Sequence, residues 1–203
     1  PDFIKVESIG KTWEDRDIWL ATLSFDVKNG DKKPALLYTG TIHAREWVGI
    51  EVAIAFIKNY LENKDFDPRI ENIFQKSTCY IVPCLNPDGF EYSRKHFSFW
   101  RKNRRVNADG TIGVDSNRNF SVGWVKSKNT TSNVYGGPAP FSEPETKAIK
   151  NFVDSHENIT IALDYHSQGN VFFPAHNFKH EDTIDTTDMN VLCANMASEI
   201  EKV

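Results

Sequence analysis

The chain of 203 residues is long enough for one domain with a sizeable core, and its 39% hydrophobic and 26% charged residues are typical of a globular protein. Its net charge of −4 argues against general binding to nucleic acid or to an anionic membrane surface. No stretch approaches the roughly 20 apolar residues of a membrane span. The three cysteines, Cys79, Cys84 and Cys193, do not have the spacing of a metal site.

The first half of the chain predicts two strands followed by a helix. Residues 17–25 alternate and are β-rich, and residues 34–39 form an apolar run, so both predict strands. Residues 46–61 predict a helix, because apolar side chains recur at the helical spacing of positions 47, 50, 54, 57 and 61. We expect the leucines and isoleucines of this helix to pack on the sheet.

The second half predicts two more strands and two more helices. Residues 77–85 predict a strand that runs into the turn sequence NPDGF. Ser142 and Glu145 have the spacing of a capping box and predict the start of a helix. Residues 159–165 predict a strand and residues 188–202 a last helix. Strands that alternate with helices indicate an α/β fold with some parallel pairing.

His43 and Glu46 form an H-x-x-E pair directly after the apolar run PALLYTG. Residues three apart on a turn, or on the first turn of a helix, point the same way, which suits two ligands of one metal ion. The pair alone is weak evidence, because so short a pattern also arises by chance. Surface decoration of a strand-to-helix turn is the alternative interpretation.

His166 strengthens the metal hypothesis because it also follows a predicted strand, residues 159–165. In open α/β sheets, functional sites form outside the carboxyl ends of the strands. Two histidines and one glutamate that converge there would leave a fourth position for water on a zinc ion. Such an ion polarises a carbonyl and acidifies its water. The alternative for His166 is a histidine that only makes hydrogen bonds at a strand end.

A basic run, YSRKHFSFWRKNRR at 92–105, opens an irregular segment rich in Arg, Asn and Gly that extends to residue 141. Irregular segments of this length are usually functional. The run is either a solvated loop or a nucleic-acid patch with interleaved aromatic residues, but the acidic balance of the chain argues against the patch. Arg45, Arg101 and Arg118 could instead surround a carboxylate, which arginine binds with two parallel hydrogen bonds. A zinc hydrolase that acts beside a free carboxylate would be a carboxypeptidase.

The chain resembles the zinc carboxypeptidases of the pancreatic A/B type, the M14 family. The matching stretches keep the family's order and rough spacing over most of the chain, and they are HAREW (43–47), NPDGFEYS (86–93), FWRKNR (99–104), GVDSNRNF (113–120), SEPET (142–146) and HSQ (166–168). The resemblance implies a mixed, mostly parallel twisted sheet flanked by helices, truncated in this chain. It also implies one zinc ion per chain and release of C-terminal amino acids from peptides by zinc-promoted attack of water.

By this resemblance, His43, Glu46 and His166 are the implied zinc ligands. Asp115 would accept a hydrogen bond from His43 and fix the tautomer of its ring. These roles come from matching positions in the family motifs.

The resemblance also implies a substrate site lined by basic and amide groups. Asn117 and Arg118 would bind the terminal carboxylate of the substrate, and Arg45 would contact the peptide further from the cut. Arg101 would polarise the scissile carbonyl and stabilise the oxyanion.

Compared with the family, residues 1–203 resemble a single catalytic domain without its two ends, and we interpret the chain as a fragment of a longer enzyme. The family's general-base glutamate, its mobile tyrosine and the residue at the floor of its side-chain pocket have no match in this sequence. We therefore expect the isolated chain to hydrolyse peptides weakly or not at all. A sheet without its last strands would also leave an apolar edge open to association.

The implied partners are the C-terminus of a peptide or protein and an inhibitory propeptide, with neither nucleic acid nor membrane expected. The family and three N-x-[ST] tripeptides, at Asn119, Asn129 and Asn158, favour a secreted protein. Two other functions fit the same residues, a catalytically inactive relative that binds zinc and peptide, and an amidohydrolase of N-acyl amino acids. The complete FWRKNR stretch and the long loops favour a peptide substrate.

Overall fold

Five strands form one mixed sheet in the part of the chain that the computed structural model describes, residues 2–174 and 187–200. The strands are β1 (Ile4–Lys11), β2 (Asp17–Leu23), β3 (Ala35–Gly40), β4 (Thr78–Val82) and β5 (Ile159–Tyr165), in the order β1-β2-β4-β3-β5. Strand β2 pairs antiparallel with β1 and β4, whereas β3 pairs parallel with β4 and β5. The predicted mixed sheet is confirmed, and its described pairings divide evenly between parallel and antiparallel.

Four helices belong to the same compact unit as the sheet, Pro1–Ser167, and they are α1 (Val48–Asn63), α2 (Pro68–Lys76), α3 (Pro87–Lys95) and α4 (Pro144–Asp154). A fifth helix, α5 (Thr187–Ile200), lies in a second unit, Gln168–Val203. No helix within the described ranges has the length and apolar character to cross a membrane.

Successive residues of the central strands point into two separate apolar clusters, one on each face of the sheet. On one face, Leu37 of β3 belongs to the same cluster as Phe152 of α4. On the other face, Tyr38 of β3 and Ile81 of β4 belong to the same cluster as Tyr60 of α1. Strand β3 is therefore covered on both faces, which fixes the position of its carboxyl end.

Helix α1 buries only part of the apolar stripe that the sequence pattern predicts, and Ile57 is the member that packs against the cluster on this face. Gly49 and Tyr60 are buried, whereas Ile54 is 50% exposed and Leu61 is 39% exposed. Gly49 allows a close approach to the end of β3, because a Cβ added there would lie 3.1 Å from the backbone nitrogen of Thr41. A small residue at the contact, rather than a stripe of large ones, seats the start of the helix on the sheet.

The start of α4 also differs from the prediction. Glu143, not Ser142, occupies the N-cap position, and its side chain makes no capping hydrogen bond. Ser142 Oγ instead donates to Glu143 Oε1 at 2.7 Å. The side chain of Glu145 is fully buried rather than turned back to the cap. Both carboxylates face the protein interior, so the predicted capping box does not form.

The remaining predicted elements differ mainly at their ends. The strand predicted over 17–25 ends at Leu23, and the helix predicted over 46–61 runs over Val48–Asn63. The helix predicted over 188–202 is α5, and residues 201 and 202 lie outside the described residues. Strand β1 and helices α2 and α3 were not predicted, and the NPDGF stretch that predicts a turn instead begins α3, with Asn86 as its N-cap.

Candidate active site

The turn between β3 and α1 presents His43 and Glu46 at the carboxyl end of the central strand. Both residues are buried, with 3% and 6% of their surfaces exposed. The turn is held by the backbone hydrogen bond from Glu46 N to His43 O (3.1 Å) and by the donation from Thr41 Oγ1 to Glu46 O (3.1 Å). As a result, His43 Nδ1 lies 2.8 Å from Glu46 Oε1.

His166 reaches the same place from the neighbouring strand. Strand β5 runs parallel to β3 and ends at Tyr165, so His166 follows at the same edge of the sheet. His166 Nδ1 lies 2.8 Å from Glu46 Oε2 and 3.1 Å from His43 Nδ1. The three predicted zinc ligands therefore converge, with their donor atoms all within 4.8 Å of one another.

The chemistry of these donors fits a zinc ion. Two imidazole nitrogens and one carboxylate oxygen are a ligand set that catalytic zinc uses with an open fourth position. Donors about 2.0–2.1 Å from a tetrahedral ion lie about 3.3 Å apart, close to the separations between these side chains. The side chain of His166 is 32% exposed, so one side of the centre is open to solvent. Water or a substrate could approach from this side.

Each histidine holds its second ring nitrogen against an aspartate. His43 Nε2 lies 3.2 Å from Asp115 Oδ1, and His166 Nε2 lies 2.9 Å from Asp164 Oδ2. A carboxylate accepts, so each aspartate favours the tautomer with the proton on Nε2. In that tautomer, a metal ion at the centre could bind Nδ1 in place of its contact with Glu46.

Hydrogen bonds at the centre shift the pKa values of its side chains. Burial would raise the pKa of Glu46, but hydrogen bonds with His166 and His43 outweigh it and hold that pKa below its usual range. Burial likewise opposes ionisation of Asp115, yet His43 and Arg101 lower its pKa. Hydrogen bonds with Asp164 and Glu46 raise the pKa of His166 to about 10. The ionised carboxylates of Glu46 and Asp115 therefore favour a cation at the centre.

Arg101 borders the centre with a side chain that is only 14% exposed. Its Nε and Nη2 donate to Asp115 Oδ2 at 3.2 and 2.9 Å. Its Nη1 lies 3.8 Å from Glu46 Oε1. The backbone oxygen of Arg101 accepts from Ala44 N at 2.9 Å, which ties this segment to the turn that carries His43.

The predicted carboxylate-binding pair follows Asp115 directly. Asp115 caps a 3₁₀ turn, Ser116–Arg118, by accepting from Asn117 N at 3.0 Å. Asn117 Nδ2 lies 3.4 Å from His166 Nε2, at the edge of the metal centre. Arg118 is exposed, and its Nη1 donates to Asn117 O at 2.9 Å.

Arg45 lies in the same turn as His43 and Glu46 but has a different surrounding. The residue is partly exposed, and its Nη1 donates to the backbone oxygen of Phe99 at 3.4 Å. The structure therefore places Arg45 against the segment that leads to Arg101.

A buried polar network behind the centre was not predicted. Asn103 Oδ1 accepts from Val114 N at 2.8 Å, and Asn103 Nδ2 donates to Glu143 Oε2 at 2.8 Å. Glu143 Oε1 also accepts from Arg105 Nη1 at 2.9 Å. The network joins the segment after Arg101 to the segment before Asp115. Nothing in the spacing of these residues could have revealed it, because they come from three separate irregular stretches.

Asp164 was also missed, although the sequence contains a signal for it. Residues two apart on a strand point to the same face, so an aspartate at position 164 could reach the side chain at position 166.

Comparisons with known proteins relate the chain to one family. The family model for zinc carboxypeptidases, Peptidase M14, matches residues 1–203. Mast cell carboxypeptidase A from Mus musculus is 39% identical over 176 residues, which cover 82% of this chain and 40% of that protein. Carboxypeptidase A from Helicoverpa armigera has a similar structure, with a TM-score of 0.83 and 26% identity over 100% of this chain and 50% of that one.

A second solved structure shows the same likeness. Bovine thrombin-activatable fibrinolysis inhibitor, in complex with tick carboxypeptidase inhibitor, has a TM-score of 0.83 and 27% identity, over 96% of this chain and 64% of that one. The chain thus spans between 40% and 64% of the length of these three relatives.

Proposed function

Because the chain belongs to the zinc carboxypeptidase family, we propose that it binds one zinc ion and serves in the release of C-terminal amino acids from peptides. The observation that carries this proposal is the convergence of His43, Glu46 and His166 beside the guanidinium of Arg101. Zinc bound there would polarise the scissile carbonyl and lower the pKa of water.

Arg101 is suited to stabilise the negative charge that develops on the carbonyl oxygen. Asp115 engages Nε and Nη2 of Arg101, so Nη1 is the part of the guanidinium directed toward Glu46 and the centre. A donor held in place before the reaction stabilises a transition-state charge without reorganisation, and removing one such donor typically costs about 10²–10³ in rate.

Asn117 and Arg118 are suited to bind the terminal carboxylate of a peptide. The Asn117 amide lies beside His166, and the Arg118 guanidinium is exposed next to it. A carboxylate bound by both would place the last peptide bond toward the centre. Arg45, at the backbone of Phe99, would contact the peptide further from this bond.

For residues 1–203 themselves, we propose binding of zinc and of a peptide C-terminus with weak or no hydrolysis. No glutamate of this sequence matches the general base of the family, and without a base the attacking water keeps its proton. Binding and turnover therefore need separate measurements.

The proposal includes secretion and control by an inhibitory propeptide. The three N-x-[ST] tripeptides are not equivalent, because Asn119 is fully buried and Asn158 donates from its amide to Lys33 O at 2.7 Å. Asn129 is exposed and is the acceptor that glycosylation would use. One related protein, of bovine origin, binds a tick carboxypeptidase inhibitor, and a propeptide could cover the same kind of site.

The test compares two peptides on the zinc-loaded chain, one with a free C-terminal carboxylate and the same peptide as its C-terminal amide. We expect the free acid to bind at least about 10-fold more tightly, since a charge-assisted pair contributes about 1.5–3 kcal/mol. Titration by fluorescence anisotropy or calorimetry gives both dissociation constants. Hydrolysis of the free acid, with and without a chelator, is measured on the same samples.

The matched variants are Arg118→Ala and Arg69→Ala. Arg69 is an exposed arginine on α2, with its side chain 87% exposed, so its removal controls for lost charge. We expect Arg118→Ala to lose the preference for the free acid and Arg69→Ala to keep it. Equal binding of acid and amide by the unchanged chain would contradict the proposal.

A further inference from the structure

His166 contacts Asp164, and Asp164 in turn accepts a hydrogen bond from Thr39. Neither Asp164 nor Thr39 has a role in the proposed function. Asp164 Oδ2 lies 2.9 Å from His166 Nε2, and Asp164 Oδ1 accepts from Thr39 Oγ1 at 2.7 Å. Thr39 and Asp164 are also direct partners in the register of β3 and β5. The strand pairing therefore sets the position of the carboxylate, and the hydroxyl sets its rotation.

Two groups compete for the Nε2 atom of His166, and only one is compatible with a metal ligand. Asn117 Nδ2, at 3.4 Å, could donate to Nε2 only if Nε2 carried no proton. Asp164 accepts, and so it favours the tautomer with the proton on Nε2. That tautomer keeps the lone pair on Nδ1, the atom that lies beside Glu46 and His43, where a metal ion would bind it. It also removes the acceptor for the Asn117 amide, which is then available to a substrate.

We propose that Asp164, oriented by Thr39, is a positioning residue that selects the metal-binding tautomer of His166 and frees Asn117 for the substrate carboxylate. This inference rests on the proposed zinc site. The pair is the counterpart, on the open side of the centre, of Asp115 beside His43. Asp164 lies on a strand, whereas Asp115 lies in a loop. The pairing of β5 with β3 that brings His166 to the centre therefore also positions the carboxylate that orients His166.

The experiment measures zinc affinity of the whole chain by competition with a chromogenic chelator. We expect Asp164→Asn to weaken zinc binding about 10-fold, the lower end of the range for partners that orient a ligand, because Asp164 is partly exposed. Thr39→Val should weaken it about 3-fold, because the carboxylate remains but its rotation is free. In the double variant, Thr39→Val should add nothing, since the hydroxyl acts only through the carboxylate.

Two matched variants control for changes of charge and shape. Asp17→Asn removes a strand carboxylate that pairs with Lys11, and Thr160→Val removes a hydroxyl of β5 that donates to Ala35 O. Both should bind zinc within about 2-fold of the unchanged chain. Nitrogen-15 NMR of the zinc-loaded chain gives a second measure, in which the Nε2 proton of His166 should be visible and slow to exchange. That proton signal should be lost in Asp164→Asn.

The possible failures are distinguishable. If the unchanged chain binds no zinc, the proposed function fails together with this inference. If it binds zinc but Asp164→Asn matches Asp17→Asn in affinity and in the Nε2 proton signal, only the role of Asp164 is wrong. Additive effects of Asp164→Asn and Thr39→Val would refute the role of Thr39.

Discussion

The two histidines of the metal centre have the same contacts in opposite surroundings. Each directs Nδ1 at Glu46 and Nε2 at an aspartate. On the His43 side, Asp115 has a side chain that is 0% exposed and also binds Arg101. On the His166 side, Asp164 has a side chain that is 37% exposed and is held by one hydroxyl.

The difference shows how one ligand geometry can be built in two ways. On the buried side, charges act in a medium of low dielectric, so each lost partner leaves a costly unpaired group. On the open side, water can replace a lost partner and salt screens the charges. We therefore expect the buried side to determine the stability of the centre. The open side should determine how easily the fourth ligand position is reached.

The largest effect should come from Glu46, the residue that both sides share. Glu46→Gln keeps the shape of the side chain but removes the charge that faces both histidines. We expect zinc affinity to fall by more than the 10–100-fold typical of an orienting partner, because a ligand itself is changed. Metal analysis after dialysis against a weak chelator measures this. Glu51→Gln, at an exposed position in the first turn of α1, should retain the metal.

Asp115→Asn should have the next largest effect and should exceed Asp164→Asn. The change leaves Arg101 without its carboxylate and weakens the orientation of His43, so we expect a loss of zinc affinity near 100-fold. Chelator competition at 0.1 M and 1 M salt sharpens the comparison. High salt should shrink the effect of Asp164→Asn but not that of Asp115→Asn, since only the exposed charge is screened. Equal losses with equal salt dependence would remove the distinction between the two sides.

The sequence predicts the convergence of the three metal-binding side chains better than it predicts their supports. His43, Glu46 and His166 could be placed together because each follows a strand, and strand ends of a parallel pair meet at one edge. The supports, Asn103 and Glu143, lie in irregular segments where no periodicity relates residue to residue. Their proximity depends on the tertiary fold, which spacing along the chain does not encode.

The packing of α1 could not be predicted for a related reason. Apolar periodicity identified the helix, but Gly40 and Gly49 set the contact of its first turn with the sheet. A Cβ on Gly40 would lie 3.1 Å from the backbone oxygen of Gly49, so this end of the helix depends on close backbone approach. The predicted capping box similarly does not form, because the carboxylate of Glu143 faces the interior. There Arg105 and Asn103 donate to this carboxylate and bind it more favourably than a helix end would.

Asn103→Ala tests whether the buried polar network of Asn103 and Glu143 stabilises the buried side of the centre. The change leaves the buried Val114 N without its partner and removes one of the two donors to Glu143 Oε2, which should cost about 2–3 kcal/mol in the free energy of unfolding. Urea denaturation measures the loss. Asn59→Ala, an exposed asparagine of α1, should change stability by less than about 0.5 kcal/mol. If both variants are equally stable, the network does not support the buried side.

Glu145 should make the stability of the chain depend on pH. Burial, with Glu143 nearby, raises the pKa of Glu145 from 4.5 to about 8. The folded chain therefore binds this proton more tightly than the unfolded chain, and the stabilisation is complete below pH 4.5 and lost as the pH rises to about 8.

Glu145→Gln, which is always neutral, should be more stable than the unchanged chain by about 4 kcal/mol at pH 8 and nearly equal to it at pH 4.5. Urea denaturation across this pH range measures the difference, and the comparison cancels other groups that titrate there. A constant difference between the Glu145→Gln chain and the unchanged chain would mean that Glu145 is ionised throughout. The interior would then hold the charge of Glu145 beside that of Glu143, with the Asn103 amide donating to Glu145 Oε2 at 3.2 Å.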